Sequence, residues 1–469
     1  MFSRTCIAMA LIAALAPAFA EGEPGTAGWT KVVVTPGVLP AELEPMGFFD
    51  GFEKLIEDGV FTAYGHRVKL DLAGAQPSWS AGGAAVPIRQ FPALATFGAE
   101  GARRAVWIHH RGATYTWSSH YGARFALDGK TFAIVDADAD GVLWEVNEDG
   151  LVGPLSMAAS PFVGEAWTET AGFKVATKDG APWSAPAAMP RPGQDPLNAG
   201  WMAFNAWRMA GGSTPSVWDE TVHKACLAHI DYCIANGVRG HEETEGNAHY
   251  TEAGAQAGKD SVLSFGHPVP RDAILEQIST AYHLSAVLSP ACRISALAIR
   301  GSTFAANVKG DTSGESRSGA VTFVWPPHGG RDFPRMFNGT GEIPMPIPNE
   351  EGDYKKPLGQ AILAQVSGDG PFALEVVSDK GEVVQGTLTT PDASIEGVSN
   401  NHCLVILAPH KALASNARYT ATLRLTEGEA SVVRVWRFQT GAAMYRVVCH
   451  GGGGGESRPS GRPGRRPRD

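Results

Sequence analysis

Between Trp29 and about Ala181, short apolar runs alternate with Gly, Asp and Pro; the clearest cover residues 31–34, 105–108, 114–117 and 131–135. Val, Ile, Thr and aromatic residues dominate them, a composition suited to pleated, half-buried segments, so the pattern predicts strands and hairpins. One helical stretch is expected near 51–58. A Pro- and Ala-rich segment, 182–196, then reads as a linker, and beyond it the period changes. Apolar residues recur three and four apart over 201–210, 220–236 and 271–287, which predicts three amphipathic helices. Asp219 is placed to cap the second helix, Asn236-Gly237 to end it, and Ser289-Pro290 to stop the third. Residues 294–300, 303–308 and 320–325 read as strands, so helices and sheet share this region. From Pro326 the chain is first Pro-rich and then strand-rich, with runs at 372–377, 383–389, 403–408, 419–425 and 432–440, which suggests a small β-sandwich.

The expected organisation is a multidomain α+β chain. It comprises a signal peptide (1–20), a mostly-β N-terminal domain (21–181), a linker (182–197), a mixed helix and sheet domain (198–325), a β-sandwich (326–444) and a tail (445–469). A length of 469 residues calls for more than one core. At the start, Arg4, an apolar stretch from Cys6 to Leu15 and Ala18-Phe19-Ala20 form the charged, apolar and small-residue regions of a secretory signal, so the mature chain is expected to begin at Glu21. The apolar stretch is shorter than the ~20 residues that span a bilayer, and no later segment comes close, so no transmembrane segment is expected. Gly451 to Gly455 and the Arg-, Pro- and Ser-rich residues after it cannot pack a core.

Charge narrows the partners. The chain carries a net charge of -9; the signal takes one positive charge with it and the last 19 residues hold a further +3, so the body stands near -13. Such a body repels nucleic acid and anionic lipid. Five cysteines remain in the mature chain (Cys226, Cys233, Cys292, Cys403 and Cys449), an odd number that leaves at least one unpaired within a monomer. Cys226 and Cys233 are about 10 Å apart along a helix and cannot bond to each other, though either could reach Cys292 in an oxidising compartment.

Three local patterns bear on chemistry. Asp136, Asp138 and Asp140, followed by Gly141, resemble the first half of a calcium loop, but Asn147 stands at the twelfth position where such loops place Glu. An Asp-rich hairpin turn explains the same residues. Cys226, His229 and Cys233 share one helical face, where a thiolate and imidazole site competes with plain core packing. No Gly-x-Ser-x-Gly, His-Glu-x-x-His or phosphate-cradling Gly loop is present, and Asn338-Gly-Thr340 is only a formal glycosylation acceptor.

Taken in order, Phe204-Asn205-Ala206-Trp207-Arg208, Trp218-Asp219, Ala225 to Tyr232 with His229, and Asn236-Gly237 to Gly240-His241 resemble the opening of CAP (SCP-like) domains, the superfamily of cysteine-rich secretory and pathogenesis-related proteins. The stretch from Gly246 through His249, Gly254 and Gly258 to Val262, with Ala281-Tyr282-His283 and Val287 to Pro290, is similar to a divergent bacterial exported branch. Trp325-Pro326-Pro327 and Trp436 to Gly441 resemble the Ig-like module that follows some of these domains. The resemblance implies an α-β-α sandwich at 198–325, with an open cleft lined by His and acidic side chains that in some members holds a divalent metal. His241 and His283 are then the cleft candidates, with Glu242, Glu243 and Asp260 as acidic partners. Trp207 stands where many members have His, and the usual Gly-Glu-Asn is missing.

Two imidazoles and a carboxylate would suffice for a weak zinc site or for acid and base work. The leading expectation is a secreted, periplasmic or envelope-associated binding protein whose CAP domain holds a cell-envelope lipid, glycan or protein ligand. The alternatives are a metal-assisted hydrolase using His241, His283 and a nearby acid, and a structural envelope protein with a vestigial cleft filled by Trp207.

Overall fold

The computed structural model describes residues 23–442 except for 25–28, 40–52, 57, 74–75, 90–92, 99–102, 112–113, 141–142, 145–149, 156–158, 169, 180, 188–194, 310–320, 332, 338–357, 367–368, 393–402 and 428–429. The expected signal segment, Asn147, the Asn338-Gly-Thr340 site, Cys449 and the tail lie outside the described residues.

The middle of the chain is organised by a three-stranded antiparallel sheet: Ser261–Phe265, Thr303–Asn307 and Leu297–Arg300, in that order. Side chains on a strand alternate between faces. Here Val262, Leu297, Phe304 and Ala306 enter one apolar core, while Leu263, Ala298 and Ala305 enter another. Five helices cover these faces: α1 (Asp195–Ala210), α2 (Glu220–Asn236), α3 (Glu252–Lys259), α4 (Pro270–Gln277) and α5 (Ala281–Leu288). Helices α1, α4 and α5 fill the first core with Trp201, Phe204, Ile274, Leu284 and Leu288. Helices α2 and α3 fill the second with Cys226, Ile230 and Ala257. The result is a sheet between two helical layers.

Before it, four antiparallel sheets build the N-terminal unit around two cores. One core holds Phe61, Val68, Trp79, Val106, Ile108 and Trp117. The other, with Phe125, Ile134, Trp144, Phe162 and Trp167, is continuous with the apolar layer of α1.

After it, a sheet ordered Val321–Trp325, Ile362–Val366, Leu404–Pro409, Gly386–Thr389 faces a sheet ordered Asp369–Ser378, Arg418–Glu427, Ala430–Gln439. Val324, Ile362, Val405 and Leu407 meet Val376, Leu423, Trp436 and Phe438 in the core between them. The first sheet is buried on its other face too. Phe323, Trp325, Leu363, Leu404 and Ile406 join the α1 core, which is why Leu404–Pro409 is an unbroken buried run rather than an alternating one.

Several expectations are corrected. The helix expected over 51–58 is instead a strand at Glu53–Leu55, paired with the 116–118 segment. The linker begins later than expected, because Ala181–Pro186 is a strand hydrogen-bonded to Gly172–Lys178. The third helix is two helices. Ser279 and Thr280 donate their hydroxyls to the Leu275 (2.6 Å) and Gln277 (3.0 Å) carbonyls, and Thr280 is extended at φ -112° and ψ 156°. The strand at Val321–Trp325, expected in the middle domain, pairs with Ile362–Val366 and belongs to the C-terminal unit.

Candidate functional site

Helix α2 starts where Asp219 accepts from the Thr221 (2.7 Å) and Val222 (2.9 Å) amides, and stops at Gly237, whose φ of 64° is costly for other residues. The chain then runs through an exposed loop, 238–251, that carries His241, Glu242 and Glu243. Its order comes from side chains. Tyr232 Oη accepts from the Thr244 amide (2.8 Å) and Asn247 Nδ2 (3.1 Å), and Asn236 Nδ2 donates to the Ala248 carbonyl (2.8 Å). The Glu243 carboxylate is wholly buried and lies 2.9 Å from His229 Nδ1. Its other oxygen accepts from the Thr251 amide at 3.3 Å. His229 Nε2 lies 3.0 Å from the Gly240 carbonyl, so both ring nitrogens have an oxygen partner.

The fit around this pair explains two glycines on α3. A Cβ on Gly254 would stand 2.7 Å from Glu243 Oε1, and one on Gly258 would stand 2.6 Å from His229 Nδ1 and 2.5 Å from the His241 carbonyl oxygen.

His241 is exposed, and its Nδ1 donates to the Gly258 carbonyl at 2.8 Å, which turns Nε2 away from that backbone. On α5, the Thr280 hydroxyl gives its hydrogen to Gln277 and so accepts from His283 Nδ1 at 3.0 Å, leaving the His283 lone pair on Nε2. Burial, reinforced by the nearness of His241, pushes His283 down to about 4, so it is neutral at ordinary pH. The two histidines thus lie within electrostatic reach of each other.

The acids do not join them. Asp260 at the end of α3 is ion-paired with Lys309 at 3.1 Å and accepts from Gln256 Nε2 at 2.9 Å. Glu242 is exposed and faces Lys259 at 3.6 Å, while Glu243 is committed to His229. Trp207 packs edge-on against Trp325 (5.6 Å) and Phe333 (5.9 Å), in the seam between α1 and the C-terminal unit.

Asn205 and Arg208 prove structural. Asn205 exchanges two hydrogen bonds with the Ser216 backbone (2.8 and 3.2 Å). Arg208 is completely buried and, among the described residues, has no carboxylate partner: Nε donates to the Thr214 carbonyl (3.0 Å), and Nη1 donates to the carbonyls of Val287 and Ser289 at the end of α5. Desolvation lowers its pKa, and the negative end of the α5 dipole offsets part of that cost.

The thiols of the described residues are unpaired. Cys226, Cys233 and Cys292 are buried and free, and Cys403 is free and exposed. Cys226 lies 3.7 Å from Ser261 Oγ, Cys292 the same distance from Ser216 Oγ, and Cys233 3.5 Å from His229 Nε2. Burial raises the pKa of Cys226, to about 11, and of Cys233, which keeps both as thiols.

In the N-terminal unit, Asp136, Asp138 and Asp140 do come together, with one carboxylate oxygen of each within 4.8 Å of the others. Among the described residues this is the only such group of three or more His, Cys, Asp or Glu. The Asp140 amide also approaches Asp138 Oδ1 at 3.4 Å, the local contact a hairpin turn makes.

Residues 201–301 match the model of the cysteine-rich secretory protein family, CAP. The chain carries a CAP domain. The match runs from Trp201 on α1 to Gly301, past the strand that ends at Arg300, so it spans both helical layers. A solved structure of an extracellular protein containing a SCP domain, from Bacillus anthracis str. Ames, overlaps 46% of this chain and 87% of its own at 10% identity and a TM-score of 0.21, too distant to carry anything across. No curated protein matches the chain. Within the CAP domain, Glu243, expected as an acidic partner of the cleft histidines, instead anchors the loop through His229 and the Thr251 amide; the other anchor, Tyr232, was not singled out in the sequence, where its signal is an aromatic one turn before the end of α2.

Proposed function

We propose that the chain is an exported protein of a divergent bacterial branch that acts by binding. In this reading the CAP domain holds a cell-envelope lipid, glycan or protein ligand beside His241 and His283, and the two-sheet C-terminal unit is an Ig-like module. The observation that carries it is the fate of the third and fourth ligand positions. Trp207 is locked into the aromatic seam, Asp260 and Glu242 are turned to lysines and Glu243 to His229, and among the described residues neither histidine belongs to a group of three or more His, Cys, Asp or Glu side chains. A hydrolytic zinc site takes three protein ligands and an open position. The residues present do not fit that site.

The test is metal analysis of the mature protein by mass spectrometry beside His241→Ala, together with pull-down from envelope lipid and glycan fractions. Retained ligand and no stoichiometric zinc support binding. Zinc that disappears in the variant overturns the reading in favour of metal-assisted hydrolysis. The grouped carboxylates of Asp136, Asp138 and Asp140 favour one addition, calcium in the N-terminal unit, which hard oxygen donors suit. A melting temperature that does not move in a calcium titration would return them to a simple turn.

A further inference from the structure

The C-terminal unit contains a cavity of about 400 Å³ that lies apart from the CAP domain. Two neighbouring strands make its floor. Arg418 pairs with Gln439 and Thr420 with Arg437, and the alternation that turns Tyr419 and Phe438 inward, stacked at 5.4 Å, sends these four side chains to the outer face. A loop makes the wall: Gly329 donates to the Arg437 carbonyl (2.7 Å), and Gln439 donates to that of Gly330 (2.9 Å), which brings Arg331 alongside. Gly330 is required there because a Cβ would run into the Phe333 ring. Asp379 closes the opposite side, its amide held by the Arg418 carbonyl at 2.9 Å.

Three guanidinium groups therefore face one carboxylate, in a chain whose net charge is -9. Among the described residues, none of Arg331, Arg418 and Arg437 has an ion-pair partner. Guanidinium forks match the geometry of phosphate and carboxylate oxygens, and Thr420 and Gln439 add neutral donors. Asp379 would repel a bare anion but accepts hydrogen bonds from hydroxyls. The volume falls at the small end of the range for small-molecule sites, roughly 300 to 1,000 Å³.

We propose that this cavity binds an anionic sugar, a polyhydroxylated ring bearing a phosphate or carboxylate: the arginines take the oxyanion, and Asp379 takes a ring hydroxyl. The site is independent of the CAP cleft, and His241→Ala leaves it intact.

Calorimetric titration of the full mature chain with glucose 6-phosphate, glucuronate, glucose and inorganic phosphate tests this. The expected result is saturable, salt-sensitive binding of at least one acidic sugar, phosphate and carboxylate being distinguished by which one binds, with no binding of glucose. Arg418→Gln and Arg437→Gln should each weaken it about tenfold or more, because each removes a charge-assisted hydrogen bond. Arg424→Gln, on the same strand face outside the cavity, should leave it unchanged. All three positions are exposed, so the variants should unfold at the wild-type urea concentration. No saturable binding of either acidic sugar overturns the proposal, as does binding that survives both cavity variants. Inorganic phosphate binding as tightly as the sugar phosphate overturns the assignment to a sugar.

Discussion

Replacing Glu243 by Leu should destabilise the CAP domain by about 1 to 3 kcal/mol, the cost of leaving buried hydrogen-bonding groups without their partner. The structure supports the upper part of that range. Both side chains are buried (1% of His229 and 0% of Glu243 exposed), and the carboxylate also holds the Thr251 amide. Without it, His229 keeps the Gly240 carbonyl on one nitrogen and has a methyl group on the other side. Removing both partners, as His229→Leu with Glu243→Leu, should cost less than the two single changes added together, with a coupling of roughly 2 kcal/mol. Urea denaturation gives the energies. The chain holds more than one core and need not unfold in a single step, so hydrogen exchange of the α2 and 238–251 amides should report the local effect. Glu243→Leu should expose the loop amides first and free His241 from the Gly258 carbonyl. Single-variant costs that add up to the double-variant cost within about 0.5 kcal/mol would refute the coupling of the two side chains.

Acid should weaken the fold through two histidines. His120, buried against Trp107, and His283 are each held down to about 4 by burial, from an ordinary value of 6.5. Above pH 6.5 neither contributes. As pH falls from 6.5 to 4, the unfolded chain takes up these protons and the folded chain does not, so stability drops by about 1.4 kcal/mol per pH unit for each group. Melting curves across that window should show the fall, and His120→Phe should flatten it; equal slopes in variant and wild type would sink the argument. Arg208→Met should cost about 3 kcal/mol, because the Thr214, Val287 and Ser289 carbonyls lose a charged donor, and Arg208→Lys should recover little of it, since an ammonium cannot span them. A lysine variant as stable as wild type in urea would show that charge alone matters there.

What could be read in advance followed from local rules. Helix α2 was legible to the residue, because Asp219 and Gly237 punctuate a clear three-four period. Helix α3 was not, since Gly254 and Gly258, poor helix formers, are there to let it approach His229. The break between α4 and α5 depends on Ser279 and Thr280 turning their hydroxyls back onto the chain, a choice that periodicity does not register. The strand at Val321–Trp325 was recognised but assigned to the wrong unit, because its partner, Ile362–Val366, lies far along the chain. His241 and His283 came from the family resemblance. That Asp260 would turn to Lys309 depends on where the strand Thr303–Asn307 ends, which only the sheet register determines.

The departure at Trp207 follows from how the units are joined. Both β units lean on the layer of α1, α4 and α5, and one continuous core runs from Trp144 and Phe162 through Trp201 and Phe204 to Trp325 and Leu404. A residue on α1 that faces the C-terminal unit is therefore under pressure to be large and aromatic. Its edge-on contacts with Trp325 and Phe333 add about 0.5 to 1.5 kcal/mol each beyond the area they bury. A histidine there would forfeit most of that and put a polar ring into an apolar seam. The other layer, α2 and α3 with the 238–251 loop, is not held by this seam. Docking of the C-terminal unit and the aromatic side chain at 207 are thus one arrangement seen from two sides, and on the proposed reading a ligand of the CAP domain should be sought beside His241, where the loop is exposed and firmly anchored.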